Sequence, residues 1–468
     1  MMSLVADGSH EGRPRESLHS GSDAFHCFAP VSDFLVRVGS RRWFLQAGLT
    51  AAAGLSLPEL LRQRAGAAEQ HNSRTPTSVI QIWLSGGPSQ IDMWDPKPDM
   101  PPEIRGPFDA IPTAIPGIAI CEQMPRQAAL MDKLAIIRSM DASGSNHWPV
   151  TFQAGNRKAS RDSGGYPSMG SVAAKFHGPN QPDVPAYVGL PGGTSYPLWY
   201  DVYGAGHLGS DYEPVDGARV TGRFSMPEGI AVPRLQDRDR LRQQLDHFKG
   251  RLDVSAEFAR QDRYTQAAFD LVLGGAAERA FDVSREPDTM RDLYGRDSLG
   301  EKALLSRRLI EAGVTYVVLS DRLGSWDHHG DEIPQKGIDQ GLRHMLPRTD
   351  QVIATLIEDL DQRGLLKTTL VLVVGEFGRA PVLTKTAGRD HWLQVMSLLV
   401  AGGGIRGGQT IGATDRRGGE ITERPLGPGD LAATVFKHLG INPHDHWLNP
   451  AGRPTPLVEV GEPMAELL

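Results

Sequence analysis

Acidic and histidine side chains follow several apolar segments of the sequence, and these side chains are the candidates for chemistry. The apolar runs 79–84, 134–137, 315–319 and 369–374 each lead into a polar loop. Continuous apolar runs are typical of strands buried on both faces of a parallel sheet. Sites in such sheets form beyond the carboxyl ends of the strands. The acidic and histidine residues of interest in or shortly beyond these loops are Asp92, Asp327, His329, Glu376, Asp390 and His391.

This mixture of carboxylate and imidazole groups indicates a divalent metal site. Carboxylate oxygens supply negative charge, and imidazole nitrogens suit Zn, Fe or Mn. We predict that these six residues provide the metal ligands, with Zn, Ca, Mg and Mn as candidate ions. We also expect Asp92, Asp327, His329, Glu376 and His391 to converge at one end of the sheet, because parallel strands bring their following loops to one edge.

Each loop taken alone has a simpler explanation. A single Asp after a strand often caps a helix or forms a turn. Asp327 and His329 could lie in a solvated loop, and Asp390 with His391 could form a capped turn. Glu376 could form an ion pair with Arg379. The occurrence of such residues after successive strands is what favours a metal site.

The elements that must position these residues alternate along the chain. Stretches with helical character lie between the apolar runs, at 127–133, 234–281, 300–312, 340–362 and 430–439, and a further strand is predicted at 397–400. This alternation predicts an α/β fold with a mostly parallel central sheet covered by helices on both faces. Residues 68–468 form a single domain on this interpretation, with an inserted loop and helical region at about 182–292.

The amino-terminal segment resembles an export signal. Ser40–Gln46 contains the pair Arg41-Arg42, an apolar stretch continues to Leu57, and Ala65-Gly66-Ala67 is a small-x-small cleavage site. This order is typical of a twin-arginine (Tat) signal peptide, although a short buried helix is an alternative. We therefore predict that residues 1–67 are an n-region with a signal, that the Tat machinery is a partner, and that the protein is periplasmic or secreted.

Composition excludes several other classes of protein. The chain of 468 residues has 49 Lys and Arg against 56 Asp and Glu, so its net charge of −7 argues against nucleic acid as a partner. Its two cysteines, Cys27 and Cys121, exclude a disulfide-stapled scaffold and an iron–sulfur cluster. No apolar run reaches the ~20 residues that span a bilayer, so we expect no stable membrane span.

Six ordered motifs resemble one family, and the resemblance extends from about Val79 to Asn442. The motifs lie at 281–286, 304–314, 326–331, 375–379, 388–392 and 402–405. They are similar to the Tat-exported family catalogued as domain of unknown function 1501, which resembles sulfatases and alkaline phosphatases. The resemblance implies an alkaline-phosphatase-like (sulfatase-like) three-layer sandwich.

The resemblance also assigns roles to individual residues. It implies a dinuclear or mononuclear site with Asp92 as a bridging ligand and His391 as the late histidine ligand. Asp327 and His329 match the other Asp and His. Glu376 stands where the superfamily carries Asp. Phe377 stands where it carries His, which removes one expected ligand.

The family resemblance identifies the catalytic residues less directly than the metal ligands. The sulfatase pentapeptide Cys/Ser-x-Pro-x-Arg is absent, so a formylglycine sulfatase is disfavoured. Ser145 and His147 lie near the equivalent place, and a metal-held Ser145 alkoxide could attack phosphorus or sulfur. Equally, Ser145 could cap its loop beside a ligand His147. Arg379, with Asn146, would hold the anionic group.

Two functions follow as hypotheses. The first is an exported metal-dependent hydrolase of phosphate or sulfate esters, whose substrate is a small molecule or a polysaccharide. The second is a non-catalytic metal- or glycan-binding protein that keeps the sulfatase-like fold. The altered residues Glu376 and Phe377 and the missing nucleophile motif favour the second.

Overall fold

The computed structural model describes residues 75–159, 165–181, 184–192, 202–217, 276–322, 324–449 and 451–468. Residues Thr75–Leu468 form one compact unit. The predicted Tat signal and its cleavage site lie outside the described residues, as does most of the helical stretch predicted at 234–281. No helix among the described residues has the length and apolar character needed to span a bilayer.

Short strands and helices alternate along the described chain. The strands are β1 (Ser78–Trp83), β2 (Ala110–Pro112), β3 (Ala119–Cys121), β4 (Leu134–Met140), β5 (Tyr187–Leu190), β6 (Val215–Asp216), β7 (Tyr316–Ser320), β8 (Thr369–Val374), β9 (Gly378–Arg379), β10 (His391–Trp392), β11 (Met396–Gly402), β12 (Gln409–Ile411), β13 (Ala413–Thr414), β14 (Ile421–Glu423), β15 (His446–Leu448) and β16 (Pro454–Pro456). The α-helices are α1 (Pro102–Arg105), α2 (Pro125–Ala129), α3 (Val150–Gln153), α4 (Met169–Phe176), α5 (Ala276–Phe281), α6 (Asp288–Tyr294), α7 (Ser298–Glu311), α8 (Ile338–Gln362) and α9 (Pro428–His438).

An eight-stranded sheet with the order β12-β4-β11-β8-β1-β7-β5-β6 forms the centre. β1 pairs in parallel with both β7 and β8, and β5 pairs in parallel with β7 and β6. β11 is antiparallel to its neighbours β4 and β8, so those two strands point the same way. The carboxyl ends of β1, β4, β7 and β8 therefore meet at one edge of the sheet, and the predicted α/β fold with a mostly parallel sheet is confirmed.

Alternate residues of each strand enter two separate cores, because successive side chains of a strand point to opposite faces. Val79, Val318 and Leu372 face the core that α4 and α9 cover. Ile80, Val317 and Val371 face the core that α7 and α8 cover. The sheet is thus buried on both faces, as its continuous apolar runs predicted.

Two helices begin earlier than their apolar patterns predicted, because polar side chains cap them. α7 begins at Ser298, since Asp297 accepts hydrogen bonds from the backbone N–H groups of Leu299 and Gly300. α9 begins at Pro428, where Asp430 accepts a hydrogen bond from the Gly427 N–H at 2.7 Å. β8 has the predicted bounds.

Candidate metal centre

The site is assembled from loops that leave the common edge of the sheet. His147 follows β4, Asp327 and His329 follow β7, and Glu376 directly follows β8. His391 lies in β10, which pairs with β9, so His391 is opposite Arg379 in a short antiparallel ribbon. This ribbon fixes the backbone of the segment that carries the His391 imidazole.

The Nε2 atom of His391 lies at the centre of the cluster. It is 3.0 Å from Nε2 of His147 and 2.9 Å from Nε2 of His329. It is also 3.3 Å from Oδ1 of Asp327. The ligand atoms of His147, Asp327 and His391 all lie within 4.8 Å of one another, and His329 Nε2 is 3.0 Å from Asp327 Oδ1. All three imidazoles are partly exposed, so a solute can reach them.

Asp327 is held as a carboxylate beside these rings. Burial acts to raise the pKa of Asp327, but hydrogen bonds from His391 and Arg379 outweigh it. The positive charge of Arg379 acts in the same direction, and the pKa of Asp327 is held well below its usual range. A carboxylate oxygen that is ionised at neutral pH thus faces three imidazole nitrogens.

Glu376 lies behind His147. Its Oε1 is 3.1 Å from Nδ1 of His147 and accepts a hydrogen bond of 2.6 Å from the Gly86 N–H. The Glu376 side chain is 1% exposed, and its Oε2 is buried without a hydrogen-bond partner among the described residues. The sequence placed Glu376 beside Arg379 as an alternative ion pair, but Arg379 pairs with Asp327 at 2.6 Å.

Gly86 allows the loop after β1 to pass close to the loop after β7. Its φ is +119°, in a region that favours glycine. A Cβ at this position would lie 2.6 Å from the backbone nitrogen of Asp327. The sequence analysis assigned no role to Gly86, although the Gly-Gly-Pro turn after a buried strand was a signal that the backbone is closely approached there.

Every nitrogen of the Arg379 guanidinium donates a hydrogen bond to a group of the protein. Its guanidinium is 1% exposed, and besides Asp327 it donates to the backbone carbonyl oxygens of Gly86, Gly87, Trp326 and Arg389. It therefore holds Asp327 and joins the loops that follow β1, β7 and β8. The expectation that Arg379 faces an anionic substrate does not agree with these contacts.

Asp92 is not part of the cluster. Its carboxylate accepts from Nε of Arg389 at 2.7 Å and from the Ser89 hydroxyl at 2.5 Å, and both charged side chains are completely buried. The chain continues for several residues past the Gly-Gly-Pro turn before Asp92, which carries this side chain to Arg389. The role of Asp92 as a bridging ligand therefore does not agree with its contacts. Arg389, whose pairing the sequence analysis missed, anchors the segment that bears His391.

The remaining predicted residues lie around the cluster. Asn146 accepts a hydrogen bond from the Trp148 N–H at 2.7 Å, so its side chain forms a turn rather than facing an anion. Ser145 is buried, and its Oγ has no hydrogen-bond partner among the described residues. Asp390 is largely exposed, and its Oδ1 lies 3.4 Å from Nδ1 of His329, on the side of that ring opposite the cluster. Asp390 therefore contacts a candidate ligand without joining the set of converging atoms.

Comparisons with known proteins agree with the motifs found in the sequence. The model of the family described as "Protein of unknown function (DUF1501)" matches residues 76–468. No curated protein matches the chain.

Solved structures with a similar course of the chain share few identical residues with it. A protein in the alkaline phosphatase superfamily from Vibrio parahaemolyticus is 10% identical, with a TM-score of 0.40, over 84% of this chain and 71% of that one. A sulfatase from Pseudoalteromonas sp. is 13% identical, with a TM-score of 0.37, over 81% of this chain and 70% of that one. A phosphonate monoester hydrolase of Agrobacterium radiobacter is 13% identical, with a TM-score of 0.35, over 83% and 78%.

Proposed function

We propose that this chain, which belongs to the family described as Protein of unknown function (DUF1501), is an exported metal-dependent hydrolase of phosphate or sulfate esters. The convergence on His391 carries the proposal. A neutral imidazole has one N–H and one lone pair. One Nε2 atom therefore cannot form good hydrogen bonds with two other Nε2 atoms and a carboxylate oxygen at the same time.

A bound cation would explain why these nitrogen and oxygen atoms lie so close to one another. Two neighbouring atoms that bind one ion at about 2.0–2.1 Å stand about 2.8–3.4 Å apart, from octahedral to tetrahedral geometry. The separations of 2.9–3.3 Å around His391 Nε2 fit that spacing. Several imidazoles with one carboxylate suit Zn or Mn better than the all-oxygen sites of Ca and Mg. His147, His391 and Asp327 would hold the ion, and His329 lies beside them, with its Nε2 3.0 Å from Oδ1 of Asp327.

The residues of the chain then have distinct tasks. The two ligand histidines and Asp327 would bind the metal ion, while Arg379 keeps Asp327 ionised and in place. A divalent metal bound there would polarise an ester oxygen and lower the pKa of a bound water or hydroxyl. Ser145 is the candidate nucleophile, because its buried hydroxyl has no hydrogen-bond partner in the part of the chain that the structure describes, and because Ser145 lies two residues before His147. Unpaired buried polar groups often have a functional explanation.

The experiment measures metal and turnover on the same preparation. The purified full chain is analysed for bound metal, and the metal-loaded protein is assayed with an aryl phosphate, an aryl sulfate and an aryl phosphonate monoester. We expect stoichiometric Zn or Mn and hydrolysis of at least one ester, reduced in Ser145→Ala and unchanged in His444→Ala, which alters an exposed histidine. A chain without stoichiometric metal would overturn the proposal.

A second function is favoured by Arg379. Its donors are occupied by carbonyl oxygens and Asp327, so the arginine predicted to hold the substrate's anionic group does not face a ligand. A non-catalytic metal- or glycan-binding protein would have this arrangement. It predicts stoichiometric metal with no turnover of any of the three esters, which is the result that separates it from the hydrolase.

A further inference from the structure

We infer that Glu376 is a positioning residue that orients His147, rather than a metal ligand as its sequence position predicted. This inference rests on the proposed metal centre. The two nitrogens of the His147 ring face different partners. Nδ1 lies 3.1 Å from Oε1 of Glu376, and Nε2 lies 3.0 Å from Nε2 of His391. With its proton on Nδ1, His147 donates to Glu376 and presents the Nε2 lone pair to the cluster.

The ring of His147 separates Glu376 from the converging atoms. The described residues whose ligand atoms all lie within 4.8 Å of one another are His147, Asp327 and His391, and Glu376 is not among them. A carboxylate that accepts the second N–H of a ligating histidine fixes the ring orientation and makes the other nitrogen a better ligand. Glu376 lies where its carboxylate can accept this hydrogen bond from Nδ1 of His147.

Burial restricts the Glu376 side chain to one orientation and leaves the negative charge of its carboxylate poorly solvated. The backbone N–H of Gly86 fixes Oε1, and the side chain is 1% exposed. Oε2 is buried without a hydrogen-bond partner among the described residues. A buried carboxylate that is incompletely hydrogen-bonded is stabilised by nearby positive charge. A cation bound on the other side of the His147 ring would provide it.

The same orientation recurs at His329. Its Nδ1 lies 3.4 Å from Oδ1 of Asp390, while its Nε2 lies 2.9 Å from Nε2 of His391. Asp390 is 71% exposed, so solvent weakens its effect relative to that of the buried Glu376. We therefore expect the larger effect on metal binding from Glu376.

A double-mutant cycle tests whether Glu376 acts through His147. Zn²⁺ is titrated into the metal-free full chain and into Glu376→Gln, His147→Ala and the double variant. Gln keeps the shape and an acceptor oxygen but removes the charge. We expect Glu376→Gln to raise the Kd for Zn²⁺ about 10–100-fold in the wild-type background and less than about 2-fold in the His147→Ala background. The exposed Glu423→Gln is the matched control and should leave Kd unchanged.

A second readout reports the ligand set directly. The Co²⁺-loaded Glu376→Gln protein should keep the wild-type visible absorption spectrum at saturation, because the same atoms bind the ion. Equal weakening of Zn²⁺ binding in both backgrounds, an altered Co²⁺ spectrum, or no weakening at all would overturn this inference alone. A wild-type chain that binds neither ion would overturn the proposed function together with it.

Discussion

At the scale of single residues, the distinctive feature is that His147 and His329 both approach His391, and each approach is between two Nε2 atoms. A histidine that bonds to backbone carbonyls, as His328 does through Nδ1, needs no second imidazole close to its nitrogens. His328 donates from Nδ1 to the Gln335 carbonyl at 2.9 Å, and burial lowers its pKa, so it stays neutral. His147, His329 and His391 instead converge beside a carboxylate. This difference distinguishes the structural His328 from the candidate ligand His329, although both lie in the same loop.

Gly86 gives a residue-scale prediction. Gly86→Ala should destabilise the fold by about 3 kcal/mol or more, because the added Cβ would lie 2.6 Å from the Asp327 backbone and the φ of +119° is strained for alanine. It should also weaken Zn²⁺ binding, since Asp327 must shift. Urea unfolding and zinc titration measure the two effects.

Gly117→Ala is the matched control for this prediction. Gly117 has a φ of +85°, but a Cβ there would meet nothing within 4 Å. It should cost only the local backbone strain, about 1–2 kcal/mol, with zinc affinity unchanged. If Gly86→Ala were no more destabilising than Gly117→Ala, the close approach of the two loops would be wrong.

At the scale of elements, the sequence determined the strands better than the loops that follow them. β8 was predicted with its observed bounds because a run of buried β-branched and leucine residues has one stable arrangement in a covered sheet. The short strand β10 was missed, because its two residues have no pattern and exist as a strand only through pairing with β9. The ion pair between Asp92 and Arg389 was not predicted, for a similar reason. Arg389 lies far along the chain from Asp92, and only tertiary packing brings the two together.

The buried Asp92–Arg389 pair gives an element-scale prediction. Asp92→Asn should destabilise the fold by about 3 kcal/mol, because Arg389 would remain charged and buried without its counter-ion. At saturating metal the stoichiometry should equal that of the wild type, because Asp92 contacts Arg389 and Ser89 rather than the histidines. Urea unfolding and metal analysis check both parts.

The exposed pair Arg105–Asp109 provides the comparison. These side chains are 3.6 Å apart and 38% and 77% exposed, so Asp109→Asn should change stability by at most about 1 kcal/mol. A normal unfolding midpoint for Asp92→Asn together with loss of a metal equivalent would show that Asp92 is a ligand after all.

At the scale of the whole molecule, a buried ionic network ties the segment 276–295 to α7 and α8. Arg307 is completely buried and contacts Glu286 at 2.8 Å and Asp359 at 2.8 Å. Burial acts to raise the pKa of Glu286, but hydrogen bonds and charges of Arg307 and Arg308 outweigh it, and the pKa of Glu286 is lowered. Two of the motifs that carried the family resemblance, 281–286 and 304–314, thus meet in a structural network rather than at the metal centre.

This network predicts a pH dependence of stability. Because its pKa is lower in the folded chain than in the unfolded chain, the charged Glu286 stabilises the fold at neutral pH. That contribution begins to fall near the ordinary glutamate pKa of about 4.3 and is lost as the pH falls through the folded-state value. Glu286→Gln should therefore be less stable than wild type at pH 7, and the difference should shrink below about pH 4. Urea unfolding across pH, with Glu423→Gln as the control, would contradict this if the difference were independent of pH.

Export is a second prediction at this scale, and it depends on the sequence alone. The precursor with Arg41→Lys and Arg42→Lys should stay in the cytoplasm, because the arginine pair is the feature that the Tat route requires. Fractionation and the size of the processed chain measure the effect. Normal export and processing of this double variant would contradict a Tat signal.

The metal content of His391→Ala tests the proposed centre most directly, because Nε2 of His391 contacts His147, His329 and Asp327. His391→Ala should lose metal and any ester hydrolysis together. Its metal-free form should melt within a few degrees of the metal-free wild type, since the β9–β10 pairing uses the backbone. His444→Ala should keep full metal content. Full metal occupancy in His391→Ala, with only a lower melting temperature, would instead make His391 a packing residue and contradict the metal centre.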